Sequence, residues 1–211
     1  MSALGILLGL APGTRILVLG APDREIEAAL AHPAGSEILL SGDGHGVPRA
    51  SMDVAVLGRG AASVPATRRP LVTAAARALV PGGIFAAEFP NRLAALSKLL
   101  LAHETLPGAG DGRGGLGYGS ALRLLRDAGF ARVSGFLCLP GLADPQVLLP
   151  LDGRRALAFH FATPFFLESP ARRMLRRFLA TAAAGGFLPA LAPAFSLIAT
   201  RSGESGFAEA A

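Results

Sequence analysis

Short runs of branched apolar residues recur along the chain and alternate with segments of helical periodicity. The runs that predict buried strands are residues 15–19, 37–41, 53–57, 84–88, 132–139 and 195–200. Between them, residues 70–79 illustrate the helical pattern: proline stands at the start and Pro81-Gly82-Gly83 follows the end. Alternating strands and helices predict an α/β fold, a three-layer domain whose mostly parallel sheet has helices on both faces.

The last third of the chain departs from this alternation. Residues 141–194 are rich in proline and helical pattern, so we expect a helical insertion before the last strand of a single domain spanning residues 1–211. Residues 178–200 carry no charge, and 23 residues could cross a bilayer. Two glycines and two prolines interrupt them, which favours a helix, a turn and a strand over an integral membrane segment.

Composition narrows the class of protein. Hydrophobic residues make up 51% of the chain and charged residues 17%, which excludes a disordered chain. The one cysteine, Cys138, cannot form an internal disulfide, so we expect a cytoplasmic protein with a buried, inert thiol. His103 and His160 have no partner at metal-ligand spacing, and we expect no metal site. Residues 1–10 lack the basic start of a secretion signal.

Two segments carry glycine and acidic residues in a pattern known from one enzyme family. Residues 15–23, RILVLGAPD, form a strand followed by a turn, and residues 41–57 read SGDGHGVPRASMDVAVL. They resemble the glycine-rich cofactor loop and the G-D-x-x-x-L-P-F-x-x-x-S-F-D-V-V segment of class I S-adenosylmethionine (SAM) dependent methyltransferases. The resemblance implies a Rossmann-like methyltransferase fold with SAM as cofactor.

Two further segments extend this resemblance to most of residues 15–140. Residues 78–90, ALVPGGIFAAEFP, resemble the family's L-x-P-G-G motif, and residues 119–133, GSALRLLRDAGFARV, resemble a helix, turn and strand of its C-terminal half. Residues 139–152, LPGLADPQVLLPLD, resemble a branch of methyltransferase-like proteins of sugar and polysaccharide biosynthesis. This last resemblance implies a small or sugar-linked substrate.

The cofactor positions that the resemblance implies are Gly20, Ala21, Asp43 and Gly44. The loop is degenerate, because Pro22 and Arg24 stand where the family has its later glycines. Asp43 also fits an Asx turn between flexible glycines, and His45 is either a general base or a solvated side chain.

One strand-helix unit is missing between residues 31 and 37, since too few residues lie there. If residues 37–41 are the family's third strand, Asp43 is an adenine-side contact and no ribose acid remains. If they are the second strand, Asp43 takes the ribose role and the adenine-side strand is absent. Either assignment predicts a fold shortened by about one unit, with a reduced cofactor pocket.

Candidate catalytic residues follow from the predicted strand ends. Glu88 ends a strand, where α/β sheets place ligand-binding groups. Asn91 and Arg92 would grip an anionic or hydroxylated substrate, or cap the next helix. Tyr118, in a glycine-rich loop, would stack on a substrate or transfer a proton, or else anchor the loop by packing.

Residues 172–177 form a basic segment in the last third of the chain. On a helix, Arg172, Arg173, Arg176 and Arg177 share one face, and an apolar half, predicted to lie in the core, consists of Met174, Leu175, Phe178 and Leu179. The arginine face would bind a protein partner or make a peripheral contact with an anionic membrane, or is simply solvated. The aromatic residues before it are spaced for burial, so we expect no nucleic-acid binding.

Methyl transfer needs little more than alignment of cofactor and acceptor. The first hypothesis is therefore a SAM-dependent methyltransferase-like protein with a reduced pocket and a small or sugar-linked substrate. The alternative is a non-catalytic pseudo-enzyme of the same fold, its SAM site lost, that serves as a scaffold or accessory subunit of a complex or oligomer.

Overall fold

Seven strands form one sheet in the computed structural model, which describes residues 2–20, 24–30, 36–92, 114–139, 141–163, 170–192 and 194–203. The strands are β1 (Arg15–Leu19), β2 (Glu37–Ser41), β3 (Met52–Leu57), β4 (Leu79–Pro90), β5 (Phe130–Leu139), β6 (Val147–Pro150) and β7 (Ala194–Arg201). Their order across the sheet is β2-β1-β3-β4-β7-β5-β6.

The pairing confirms the predicted mostly parallel sheet. β2, β1, β3 and β4 pair in parallel, whereas β7 lies antiparallel between β4 and β5, and β6 lies antiparallel beside β5. Five of the seven strands therefore run in one direction. The segment expected to be a helical insertion contributes β6, which the sequence pattern did not predict.

Helices cover both faces and confirm the three layers. They are α1 (Ala3–Leu7), α2 (Arg24–Leu30), α3 (Arg59–Ser63), α4 (Pro65–Ala78), α5 (Tyr118–Asp127), α6 (Arg154–Ala162), α7 (Pro170–Ala184) and α8 (Leu188–Leu191). Ile26 and Leu30 of α2 pack on one side of the sheet, the α2 face. Leu71 of α4 and Leu125 of α5 pack on the other, the α4 face.

The strand at residues 37–41 takes the second of the two predicted positions. β2 pairs directly with β1, in the register Ile16↔Ile38, and lies at the edge of the sheet. In the part of the chain that the structure describes, no strand flanks β2 on its outer side. Asp43 therefore follows the strand next to β1, as the second assignment requires.

An ion pair fixes the start of the two central parallel strands. The Asp53 carboxylate accepts hydrogen bonds from the backbone N–H of Arg15 at 2.9 Å and from its guanidinium at 3.1 and 2.9 Å. These hydrogen bonds lower the pKa of Asp53. The aspartate of the methyltransferase-like motif therefore acts here as a clamp between β1 and β3.

The uncharged stretch 178–200 folds as predicted into a helix, a turn and a strand. Helix α7 ends at Ala184, Gly186 turns the chain with φ of 78°, and β7 begins at Ala194. Among the described residues, no helix has the length and apolar character needed to cross a membrane.

The prediction that the apolar half of α7 lies in the core is wrong for two residues. Met174 is 72% exposed and Phe178 is 45% exposed. The helix instead buries the side that carries Ala183 and Leu179, which packs with Leu157 of α6. The cause is that α7 packs on α6 rather than lying flat on the sheet, so its buried stripe is narrow.

Candidate functional site

The carboxyl ends of β1, β2, β3 and β4 meet at one edge of the sheet, because these strands are parallel. Gly20, Asp43 and Arg59 follow the first three strands, and Glu88 lies near the end of the fourth. Ligands of open α/β sheets bind at such an edge. Three residues predicted from the sequence, Gly20, Asp43 and Glu88, therefore lie at this edge. Arg59 also lies there, although the sequence analysis did not select it.

A cleft of about 540 Å³ opens at this edge on the α2 face. Its walls are α1, α2 and residues 141–144, with Arg59 and Glu88 at its base, and we name it the Glu88 cleft. The volume falls within the range of roughly 300–1,000 Å³ of small-molecule sites. Glu88 faces this side because side chains alternate along β4, and its neighbours Phe85 and Ala87 point into the α4 face.

The Glu88 carboxylate is buried and held on both oxygens. Its Oε2 accepts a hydrogen bond from the Leu142 N–H at 2.8 Å, and its Oε1 lies 3.3 Å from Arg59 Nε. The side chain of Glu88 is 9% exposed and that of Arg59 28%. Glu88 thus ties the end of β4 to α3 and to the segment after β5, and also presents a charge to the cleft.

The thiol predicted to be inert lies near this carboxylate. Cys138 is buried on β5, and burial raises the pKa of its thiol to about 11, with a smaller contribution from the negative charge of Glu88. A protonated, buried thiol is a poor nucleophile. The structure therefore confirms a buried thiol and gives it a structural place beside the cleft.

The two described glycines of the predicted cofactor loop make room for the chain's own side chains. Gly20 has φ of 99°, and a Cβ added there would lie 2.2 Å from the Cβ of Ala61. Gly44 has φ of 76°, and its Cβ would lie 2.5 Å from the Cβ of Ala74. Both glycines are therefore required by the packing of α3 and α4. Ala21 lies outside the described residues.

Asp43 adopts the Asx turn that was its alternative interpretation. Its Oδ1 accepts a hydrogen bond from the His45 N–H at 2.8 Å, and the residue is exposed. Ser41 Oγ accepts the Gly44 N–H at 2.9 Å and closes the same loop. Asp43 does not line the Glu88 cleft.

Tyr118 lies on the opposite face of the sheet from Glu88. It begins α5, and its ring stands edge-on to Phe195 at a centroid distance of 5.3 Å. The hydroxyl covers Gly135, where a Cβ would lie 2.2 Å from Tyr118 Oη. Burial raises the pKa of the phenol. The two candidate catalytic residues are therefore not brought together, and Tyr118 packs as its alternative interpretation predicted.

A second cavity, of about 940 Å³, opens beside Tyr118. Arg92, Arg126 and Arg154 line it, and we name it the arginine pocket. The sequence indicated only Arg92 as an anion contact. The other two come from α5 and α6, so no local spacing could have grouped them.

Asn91 joins two elements of the fold and also lines the arginine pocket. Its side chain is buried, and its Nδ2 lies within hydrogen-bonding distance of the carbonyl oxygens of Pro189 at 2.9 Å, Ala190 at 3.1 Å and Ala192 at 2.8 Å. It joins the end of β4 to α8, which forms one wall of the arginine pocket.

The arginines predicted to form one partner-binding face divide into two groups. Arg173 and Arg177 are exposed next to Met174 and Phe178. Arg176 instead donates hydrogen bonds to the carbonyls of Phe161, at 3.3 Å, and Ala162, and so joins α7 to α6. The side chain of Arg172 lies outside the description.

Comparison with solved structures identifies the fold. No protein-family model and no curated protein matches the sequence. Three solved chains, each 13% identical to this sequence, match 95% of this chain. A possible exported protein of Bordetella parapertussis has a TM-score of 0.50, with 66% of its own length covered. A SAM-dependent methyltransferase of Thermotoga maritima, described as a possible histamine N-methyltransferase, has a TM-score of 0.50 with 88% of its length covered, and a chain from the Haloferax volcanii complex of the activator Trm112 with a methyltransferase has a TM-score of 0.52 with 88% of its length covered.

These likenesses, together with the sheet, show that the chain has a class I methyltransferase-like fold. At 13% identity they show the fold alone. The activity has to be argued from the site.

Proposed function

We propose that this protein is a SAM-dependent methyltransferase-like protein with a reduced cofactor pocket, acting on a small or sugar-linked substrate. The observation that supports the proposal is the Arg59–Glu88 pair inside a ligand-sized cleft at the carboxyl edge of the sheet. Burial makes charged hydrogen bonds in such a cleft stronger than those at the surface.

The Arg59–Glu88 pair fits the amino-acid end of SAM, in a lining that also carries the carboxylates of Glu25 and Asp144. That end is a zwitterion, so Arg59 would hold its carboxylate and Glu88 its ammonium group. When bound, SAM supplies a sulfonium methyl group for in-line displacement. The chain's own part is to bind the cofactor, to exclude water with α1, α2 and residues 141–144, and to orient the acceptor.

The nucleoside end fits less well. Gly20, Ala21, Asp43 and Gly44 are the proposed nucleoside contacts, yet the three that the structure describes, Gly20, Asp43 and Gly44, do not line the cleft. Tyr118 lies on the other face, so we leave it out of the methyl-transfer site.

A second candidate function is that of a non-catalytic scaffold. It is favoured because the spaces left by Gly20 and Gly44 are filled by Ala61 and Ala74 of the chain itself. The Haloferax methyltransferase fold binds an activator, which makes a protein partner reasonable for this chain. The exposed face of α7 with Arg173 and Arg177 would then be the partner surface.

Calorimetric titration with SAM and with S-adenosylhomocysteine tests both candidates. We expect micromolar binding in the wild type, a loss of at least about tenfold in Glu88→Gln and Arg59→Gln, and a smaller loss in Asp43→Ala. The matched control is Asp127→Asn, which neutralises an exposed carboxylate on α5 and should bind like the wild type. If a folded wild-type protein binds neither compound, the methyltransferase proposal fails and the scaffold remains.

A further inference from the structure

The arginine pocket is lined by three arginines that form no ion pair with any described carboxylate. Arg92 follows β4, Arg126 lies in the last turn of α5, and Arg154 begins α6. Throughout the described ranges, no ion pair or side-chain hydrogen bond engages any of these three side chains. Among the described residues of the lining, Asp152 is the one acidic residue. The cavity therefore carries a surplus of positive charge.

All three arginines are exposed, and what distinguishes them from a flat arginine face is that they line a concave site. Cations that line a cavity concentrate the electrostatic potential inside it and attract an anion. A guanidinium fork matches the oxygens of a phosphate in bidentate geometry, and several forks together suit a dianion. The pocket thus has the charge and the donors for a phosphate group.

The walls of the pocket are held rigidly before any ligand arrives. Asn91 fixes α8 to β4 through three carbonyl groups. Arg154 lies against the bend at Gly186, where a Cβ would come within 2.9 Å of its guanidinium carbon. Tyr118 is seated on Gly135 and Phe195. Rigid walls reduce the ordering cost of binding.

Apolar side chains form part of the remaining lining and would contact the body of a ligand. Leu122, Val133 and Leu151 lie on the wall together with the Tyr118 ring. We propose that the arginine pocket binds a small organic phosphate, with the phosphate on the arginines and a sugar or nucleoside body against Tyr118. The pocket and the Glu88 cleft share none of their described lining residues, so we treat this site as separate from the proposed methyl transfer.

Tyr118 provides a direct probe of this site. It is the only tyrosine, and the chain has no tryptophan, so the intrinsic fluorescence reports on this pocket. We would titrate the protein with pyrophosphate, a hexose phosphate, a nucleoside diphosphate and citrate. We expect a saturable change with the phosphates, tightest for one of the two organic phosphates, that weakens as salt is added. The stronger organic probe distinguishes a sugar from a nucleoside body.

Variants locate the binding. The double variant Arg126→Gln/Arg154→Gln should lose at least about tenfold in affinity, whereas Arg49→Gln, which removes an exposed arginine elsewhere, should bind like the wild type. Arg126→Lys keeps the charge but loses the fork, so it should weaken binding by an intermediate amount and serves if the double variant does not fold.

Three results would overturn the proposal. They are the absence of a saturable signal with every phosphate, citrate binding as tight as that of the organic phosphates, and an equal loss in Arg49→Gln. SAM binding at the Glu88 cleft should be unchanged in the pocket variants, which separates this proposal from the proposed function.

Discussion

The Glu88 cleft and the arginine pocket lie on opposite faces of one sheet and treat their charges in opposite ways. In the cleft, Glu88 and Arg59 pair with each other, and the Leu142 N–H completes the arrangement. In the pocket, Arg92, Arg126 and Arg154 find no counterpart among the described residues. The paired charges join segments of the fold, whereas the described part of the chain supplies no ion-pair partner for the arginines of the pocket.

This difference indicates which charged residues a ligand can bind without breaking an ion pair of the folded protein. A ligand in the cleft has to compete with an existing ion pair, so only a molecule that supplies both signs can replace it without leaving a charge unpaired. An anion in the pocket has no ion pair among the described residues to displace. The same mutation type, removal of one charge, should therefore have opposite consequences in the two places.

The largest expected effect is on the stability of the Glu88 variant. Glu88→Ala removes the carboxylate that pairs with Arg59 and leaves the Leu142 N–H without its Glu88 acceptor, and should lower the free energy of unfolding by about 3 kcal/mol. Glu88→Gln should cost less, because its amide oxygen still accepts from Leu142. Arg126→Gln in the pocket should be neutral or slightly stabilising. Urea denaturation measures all three, and equal costs in both regions would remove the contrast.

The second effect concerns the thiol beside the cleft. With a pKa of about 11 rather than 9.0, Cys138 holds about 100-fold less thiolate near pH 8 than an ordinary cysteine. Its alkylation by iodoacetamide in native protein should be slower by at least that factor than in urea. A native rate close to the denatured rate would show that the α2 face is open to solvent.

The third effect is the titration of Tyr118. Burial raises its pKa, the charge of Asp152 raises it further, and Arg126 lowers it. Arg126→Gln should therefore raise the pKa, and Asp152→Asn should lower it, as measured by ultraviolet absorbance. The native phenol binds its proton more tightly than the unfolded one, so protonation of Tyr118 stabilises the folded state. This stabilisation is complete below the ordinary tyrosine pKa and is lost as the pH rises through the native pKa. Shifts of the opposite sign would place these charges elsewhere.

The smallest effect concerns a paired charge that is exposed. Arg15 and Asp53 have side-chain exposures of 43% and 37%, so solvent screens their attraction. Asp53→Asn should cost only about 1 kcal/mol. Because the folded state lowers the pKa of Asp53, the contribution is present at neutral pH and is lost as the pH falls through the native pKa. Thermal melts at pH 7 and pH 3 on both proteins measure it.

The sequence predicts the sheet well where each strand carries its own apolar run. The apolar runs at residues 53–57 and 84–88 predict strands correctly, because parallel central strands are buried on both faces. β6 was missed because it has only four residues, lies at an edge and is half exposed. Edge position also leaves Leu40 of β2 52% exposed, although its run predicts burial.

The sites were harder to predict because their contacts are long-range. Sequence placed Glu88 at a strand end, but its partners Arg59 and Leu142 come from distant segments. Likewise, the pairing of α7 with α6, which exposes Met174, depends on how two helices meet. Periodicity reports the width of an apolar stripe and not what covers it.

The position of β7 has a consequence for synthesis of the protein. This strand follows the other six in the chain, yet it lies between β4 and β5 near the middle of the sheet. On the ribosome, β4 and β5 therefore emerge long before the strand that joins them. Until residues 194–201 leave the exit tunnel, both strands keep an unsatisfied edge, which places a late, long-range step in folding and a period of aggregation risk before it.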